Sequence, residues 1–292
     1  MENELLKKNE KISIVVPIYN EEQAIVEVMD GLKSTCGDSE IIIVNDGSTD
    51  KTIDKISNYN FKVITHIANK GYGSALKTGI KNASNDVIVT IDADGSYPID
   101  SIRILVENLG SYGMTVGKRV SKTKVQLWKK IGKYILWRIS NFVTGLNIPD
   151  INSGLRVFRK SMIIEYLDLL PDSFSFSTTS TIIFLFNNYK IKYIPIQLYE
   201  RKGKSKVSLY SGISSIKKIF LVTLFFKPVR AIILIFYQLA TISLLIFCIR
   251  NLLYTAENSE LGIFICLAII LTLFIIDLTT KCDKKLISDI SV

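Results

Sequence analysis

Between residues 12 and 92 short apolar runs alternate with more polar stretches. Ile12–Val16, Ile41–Asp46, Phe61–His66 and Val87–Asp92 are brief and rich in β-branched residues, which predicts buried strands. Glu22–Lys33, Asp50–Ser57 and Gly73–Asn82 between them read as helices. The βαβαβαβ order predicts an α/β fold built on a parallel, doubly wound sheet with short loops. In such sheets ligands bind beyond the C-terminal ends of the strands. The loops there read Pro17-Ile18-Tyr19-Asn20-Glu21-Glu22, Asn45-Asp46-Gly47-Ser48-Thr49-Asp50, Asn69-Lys70-Gly71-Tyr72-Gly73 and Asp92-Ala93-Asp94-Gly95-Ser96.

The pattern changes near the C-terminus. Ala231 to Ile249 and Leu261 to Ile276 carry no charged residue. Each is about long enough to cross a hydrocarbon core of roughly 30 Å at about 1.5 Å per residue. The expected organisation is a polar tail (1–10), a large α/β domain (11–210), an interfacial amphipathic segment (211–228), two transmembrane helices (about 229–250 and 261–280) and a tail (281–292). Lys217, Lys218, Lys227 and Arg230 precede the first span, and Lys281, Lys284 and Lys285 follow the second. The positive-inside rule then places the large domain on the cytoplasmic face of the cell membrane. Met1 to Glu10 lacks the apolar core of a signal peptide.

Composition narrows the chemistry. The 292 residues carry a formal net charge of +9, with 48% hydrophobic residues, ample for one sizeable core and an appendage. Four cysteines without Cys-x-x-Cys spacing fit a reducing compartment. His66 is the single histidine, so zinc centres and Ser-His-Asp catalysis are poorly supported. Val120 to Pro149 has no acid and combines Lys122, Lys124, Lys129, Lys130, Lys133 and Arg138 with Trp128, Tyr134 and Trp137. That mixture suits an anionic headgroup layer. Nucleic acid attracts the same residues, but a tethered domain facing a bilayer makes lipid the simpler partner.

Asp92 and Asp94 end the fourth strand, and alternation aims them to one side. Paired carboxylates there suit Mg2+ or Mn2+ shared with substrate phosphates. A lone D-x-D is weak evidence, because Asp and Gly populate turns everywhere. Four convergent loops carry more weight. Asp46 and Glu21 offer acceptors for base and ribose, Tyr19 a surface for a ring, and Lys70 with Gly71 a charge and bare backbone for a diphosphate. Ser48, Thr49 and Asp50 are read as helix caps. A dinucleotide fingerprint fails, because its third glycine is Leu76 and its glycines follow the third strand.

Taken together, VVPIYNEE, VNDGSTDKT, NKGYGSALKTG and DADGSYP resemble the GT-A glycosyltransferases of family 2, above all the polyprenyl- or dolichyl-phosphate sugar synthases. The resemblance covers about Ile12 to Tyr210. It implies a GT-A domain, a nucleotide-sugar donor, a divalent metal, inversion at the anomeric carbon and a polyprenyl (undecaprenyl- or dolichyl-) phosphate acceptor. Carried over, Pro17, Tyr19, Glu21 and Asp46 hold the nucleoside, Asp92-Ala93-Asp94 lie at the diphosphate, and Asp94 is the direct metal ligand. Relatives often have Gln where this chain has Ser96, whose hydroxyl is a shorter ligand able to act through water. Asn152-Ser153-Gly154-Leu155-Arg156 and Arg201-Lys202-Gly203-Lys204-Ser205-Lys206 resemble the acceptor-side motifs S-G-x-R and R-x-G-x-S-K. Arg201 and Lys206 are expected to grip the lipid phosphate, with Arg119, Ser153 and Arg156 as further phosphate candidates.

No carboxylate lies between Asp172 and Glu200, where transferases acting on hydroxyls usually place a base. A hydroxyl needs one to become a good nucleophile. A phosphate monoester is already an anion, with a second pKa near ~6. A hydroxyl acceptor would need a base such as Asp172, and Ser96 motivates a third reading, a non-catalytic nucleotide-binding tether. One hairpin per chain leaves room for a homo-oligomer in the membrane.

Overall fold

The computed structural model describes residues 10–120, 127–201 and 209–233, with scattered positions from 235 to 247. It divides into two units, residues 1–137 with 148–222, and residues 138–147 with 223–292. In the first, the alternating pattern becomes β1 (Ile12–Ile18), α1 (Ile25–Cys36), β2 (Glu40–Asn45), α2 (Thr52–Ile56), β3 (Lys62–Thr65), α3 (Tyr72–Asn82) and β4 (Val87–Thr90). Then follow α4 (Ser101–Glu107), β5 (Met114–Arg119), α5 (Leu127–Thr144), β6 (Arg156–Arg159), α6 (Phe176–Phe186), β7 (Ile191–Ile196) and α7 (Leu209–Phe226).

Seven strands form one sheet in the order β3-β2-β1-β4-β6-β5-β7. The first four are parallel, as are β5 and β7, whereas β6 runs against both β4 and β5. The sheet is therefore mixed and mostly parallel. Runs such as Ile14-Val15-Val16 and Ile41-Ile42-Ile43-Val44 are apolar throughout because helices cover both faces. On one face Ile14, Val16, Ile43, Val87 and Val89 pack against Ile25, Met29 and Leu32 of α1 and Leu105 of α4.

Chain order reverses at β1, with β2 on one side and β4 on the other. That switch point opens a crevice at the strand ends, and loops after β1, β2 and β4 border it. Boundaries differ from the sequence pattern in two places that matter. α1 begins at Ile25 rather than Glu22, because the side chains of Thr52 at the start of α2 and of Asp50 in the loop before it bind the amides of Glu21 and Glu22. β4 ends at Thr90, so Asp92 and Asp94 sit in the loop beyond it.

In the second unit, Arg230 donates to the Val143 carbonyl at 2.8 Å. Phe225 and Val229 are 67% and 68% exposed. Among the described residues no helix is long and apolar enough to cross a membrane. The span expected over 229–250 is described only in part, and that over 261–280 lies outside the described residues.

Candidate active site

The β1 loop is built by the β2 loop. Asn20, at φ 51°, donates its backbone N–H to Ser48 Oγ (3.0 Å) and its side-chain oxygen accepts from Thr49 N (2.8 Å). Glu21 N donates to Thr52 Oγ1 (2.9 Å) and Glu22 N to Asp50 Oδ2 (3.2 Å). Asp50 also accepts from Thr52 N at 3.0 Å. Ser48 and Thr49 thus do not cap α2 as expected. They cross-link two loops and fix where Tyr19 and Glu21 stand.

Asp46 is buried at the end of β2. Its Oδ1 accepts from Lys70 N (2.9 Å) and lies 2.7 Å from His66 Nδ1, and its Oδ2 accepts from Gly71 N (2.8 Å). The carboxylate therefore shapes the third loop as well as facing the crevice. The Lys70 side chain is exposed, and the amides of Lys70 and Gly71 are occupied by Asp46 rather than left for a diphosphate. Gly71 has φ 104°, and a Cβ there would fall 2.3 Å from the Asp172 carbonyl. That carbonyl accepts from Gly73 N (2.8 Å), tying the start of α3 to the chain before α6.

Asp92 and Asp94 line the same cavity, as their spacing implied. Asp92 Oδ1 accepts from Tyr72 Oη at 2.7 Å, and Tyr72 stacks on Phe174 with ring centres 5.3 Å apart. Burial first, and the Asp94 charge second, push the Asp92 carboxyl up to about 6, against the pull of the Tyr72 hydroxyl and of Arg201 and Arg119. Asp94 is buried, and its Oδ1 accepts from Ser96 N (3.0 Å) and Ser96 Oγ (2.5 Å). Ser96 therefore supports Asp94 directly. Tyr97 Oη accepts from Gly154 N–H at 2.7 Å, and burial with Asp92 nearby pushes the Tyr97 phenol up to about 12.

The expected phosphate-binding cations divide into two groups. Arg201 is at the cavity, its Nε 3.3 Å from Asp94 Oδ2 and its Nη2 3.6 Å from Glu21 Oε1. The Arg201–Asp94 approach is an ion pair without hydrogen-bond geometry. Arg119 forks onto Asp150, with both nitrogen–oxygen distances 2.7 Å. Burial works against both charges, yet the pairing raises the Arg119 pKa and holds the Asp150 carboxyl below its ordinary range. Arg156 is wholly buried, bonding the carbonyls of Ser153 (2.6 Å) and Ile151 (2.9 Å) and Thr181 Oγ1 (2.6 Å). It braces the loop carrying Gly154, and Ser153 beside it is buried too. Lys206 lies outside the described residues.

A cavity of about 300 Å³ is lined by Pro17, Tyr19, Glu21, Asp46, Asp92, Asp94 and Arg201, with Gly71, Tyr72, Ala93 and Phe174 among its other walls. Among the described residues no three metal-ligating side chains gather. Asp92 and Asp94 nonetheless fit a hard cation. They are like charges in a buried place, where burial first and the Asp94 charge second disfavour ionised Asp92, a cost that a bound cation would offset, and the remaining ligands would come from substrate phosphates. His66, Tyr72 and Gly154 acquired no role from sequence. His66 and Tyr72 follow strand ends, a position that would have signalled them; what Gly154 packs against is a tertiary fact.

The model of the family described as Glycosyl transferase family 2 matches residues 13–167. The chain belongs to that family. A relative, the dolichyl-phosphate hexose transferase of Haloferax volcanii, is 27% identical over 213 residues, 71% of this chain and 91% of its own. The undecaprenyl-phosphate 4-deoxy-4-formamido-L-arabinose transferase of Pectobacterium atrosepticum is 27% identical over 275 residues, 89% of this chain and 82% of its own. Among solved structures, glucosyl-3-phosphoglycerate synthase of Mycobacterium tuberculosis, in complex with Mn2+, UDP and glucosyl-3-phosphoglycerate, superposes with a TM-score of 0.61 at 18% identity. The superposition covers 73% of this chain and 80% of that one, and it shows a shared GT-A fold. The sequence resemblance to family 2 and to its polyprenyl-phosphate members is therefore correct, and the chain is a family 2 glycosyltransferase.

Proposed function

We propose that this glycosyltransferase moves a hexose from a UDP- or GDP-sugar to a polyprenyl phosphate, with inversion, at the cytoplasmic membrane face. The observation carrying the reading is the composition of the cavity wall. Its acids are Glu21, Asp46, Asp92 and Asp94, all in the loops after β1, β2 and β4, and its arginine is Arg201 beside Asp94. Asp172, the base a hydroxyl acceptor would need, is instead paired with Lys77 at 2.7 Å and is not among the lining residues. The names of the relatives support a lipid phosphate, and the bound UDP and Mn2+ of the structural neighbour support a nucleotide donor and a divalent ion.

In this reading Tyr19, Glu21 and Asp46 hold the nucleoside, together with Pro17 of the same wall. Asp92 and Asp94 hold Mg2+ or Mn2+, with Ser96 fixing Asp94. When bound, the cation neutralises the charge that develops on the departing diphosphate, so no proton donor is needed. Arg201, joined by Lys206, turns a phosphate oxygen toward the anomeric carbon. A new C–O bond forms on the face opposite the diphosphate, while the old C–O bond breaks and its electron pair leaves with the nucleotide. Bringing two anions together is the main obstacle, and Arg201 offsets it by standing between the donor acids and the acceptor.

Membrane attachment belongs to the same proposal. Leu224, Phe225, Val229, Ile232 and Ile233 are exposed apolar side chains leading into the uncharged stretch after Ala231. A patch of this kind is costly in water and suits the interface between headgroups and acyl chains. Purified full-length protein is to be incubated with a panel of nucleotide sugars and either undecaprenyl phosphate or undecaprenol, followed by mass spectrometry. Glycolipid is expected only from the phosphate; sugar on the free alcohol would overturn the acceptor assignment.

A further inference from the structure

We propose that His66 is a positioning residue that orients Asp46 and so makes the nucleoside pocket select bases presenting a ring N–H. The inference rests on the reading of Asp46 as a nucleoside-binding residue. His66 is buried behind Asp46 and is not among the residues lining the cavity, so it acts through the carboxylate. Its Nδ1 lies 2.7 Å from Asp46 Oδ1, and its Nε2 lies 2.9 Å from Thr78 Oγ1 on α3. A carboxylate accepts, so the proton of this contact belongs on Nδ1, and the threonine hydroxyl serves the opposite ring nitrogen. The ring is thereby held from both sides, between the end of β2 and the second turn of α3.

The consequence lies in the lone pairs of Asp46. A carboxylate has roughly four acceptor positions. His66 Nδ1–H and Lys70 N–H fill Oδ1, and Gly71 N–H takes one position of Oδ2. What remains for a ligand is one acceptor on Oδ2, in a carboxylate that cannot rotate without breaking three hydrogen bonds. A single fixed acceptor favours uracil or guanine, whose ring edges carry N–H. It disfavours cytosine or adenine, whose corresponding ring nitrogen bears a lone pair and meets like polarity. Sites built on such polar matching discriminate strongly, because a mismatch leaves a buried polar group unpaired.

The amide variants separate positioning from packing. His66→Asn puts its side-chain nitrogen where Nδ1 was and keeps the bond to Asp46, whereas His66→Gln reaches where Nε2 was and keeps only the bond to Thr78. Binding of UDP against CDP, and of GDP against ADP, is to be measured by calorimetry on the full-length protein with Mg2+ present. Wild type is expected to prefer the N–H base of the pair it binds by at least about tenfold, a magnitude ordinary for a hydrogen bond to a charged group. His66→Asn is expected to keep that ratio within about threefold, and His66→Gln to lose most of it through weaker UDP or GDP binding. With donor saturating, kcat should stay within about twofold in both. Equal ratios in His66→Gln and wild type, equal loss in both variants, or no discrimination by wild type would each overturn the proposal. Asp46→Asn separates the two levels: unchanged nucleotide affinity there would overturn the nucleoside reading itself, whereas a loss there with His66→Gln unaffected would overturn the His66 role alone. Should His66→Gln fail to fold, Thr78→Val tests the outer bond, with a partial loss of the ratio expected and none refuting.

Discussion

Gly154→Ala should disable transfer without unfolding the protein. A Cβ built on Gly154 falls 2.5 Å from Asp92 Oδ2 and 2.7 Å from both Oδ1 and Cγ. Restoring ordinary contact at 3.4 Å requires Asp92 Oδ2 to retreat by about 0.9 Å. The glycine itself has little room to move. Its N–H donates to Tyr97 Oη (2.7 Å), its carbonyl accepts from Thr90 Oγ1 (2.8 Å), and Arg156 braces Ser153 before it. The carboxylate must yield, and its 2.7 Å bond from Tyr72 goes with it. Overpacking of this kind costs about 1–3 kcal/mol in stability. Displacing a group that organises the reacting centre by about 1 Å costs roughly 100-fold in rate. Transfer of radiolabelled sugar to polyprenyl phosphate should therefore fall by about two orders of magnitude at saturating donor, while the thermal transition drops by a few degrees. A variant that folds and turns over at the wild-type rate would refute the idea that Asp92 acts from this position.

Asp94→Ala is expected to abolish transfer in the same assay, and near-normal turnover would remove Asp94 from the mechanism. Arg201→Ala should raise the concentration of lipid phosphate needed for half-maximal rate by about 10-fold or more, and a defect confined to nucleotide-sugar affinity would reassign it. Asp92→Asn should stabilise the protein freed of divalent cations at pH 8. The folded-state pKa of Asp92 is raised to about 6, so its ionised form costs stability above that pH. The cost fades as pH falls from 6 toward the ordinary carboxylate range. The gain in denaturant titrations is on the order of 1–3 kcal/mol at pH 8, since each tenfold change in proton affinity on folding is worth about 1.4 kcal/mol, and it should shrink by pH 4.5. A gain independent of pH would contradict the burial argument. Asp172→Asn should leave kcat within about threefold, because its carboxylate serves Lys77; a loss of about 1000-fold would restore the hydroxyl-acceptor reading.

The β1-to-β4 alternation, the crevice at the strand ends and the family could all be read before any folding. These depend on local period and on residue spacing within loops, both written directly in the chain. The same reading named Asp92, Asp94 and Arg201 as site residues, and all three line one cavity. How the charges are spent emerges only in the folded molecule. Arg119, Arg156 and Arg201 look equivalent as sequence, yet Asp150 neutralises the first and the core encloses the second. Only the third meets the cavity. The antiparallel β6 was likewise invisible, since a short apolar strand carries no mark of its direction. Ser48 and Thr49 followed the cap pattern but bonded across to Asn20, because a side-chain oxygen takes whichever orphan amide the fold brings closest. Periodicity records which residues are buried; which partner a polar group meets there depends on segments distant in sequence, and that pairing exists only after the chain has closed on itself.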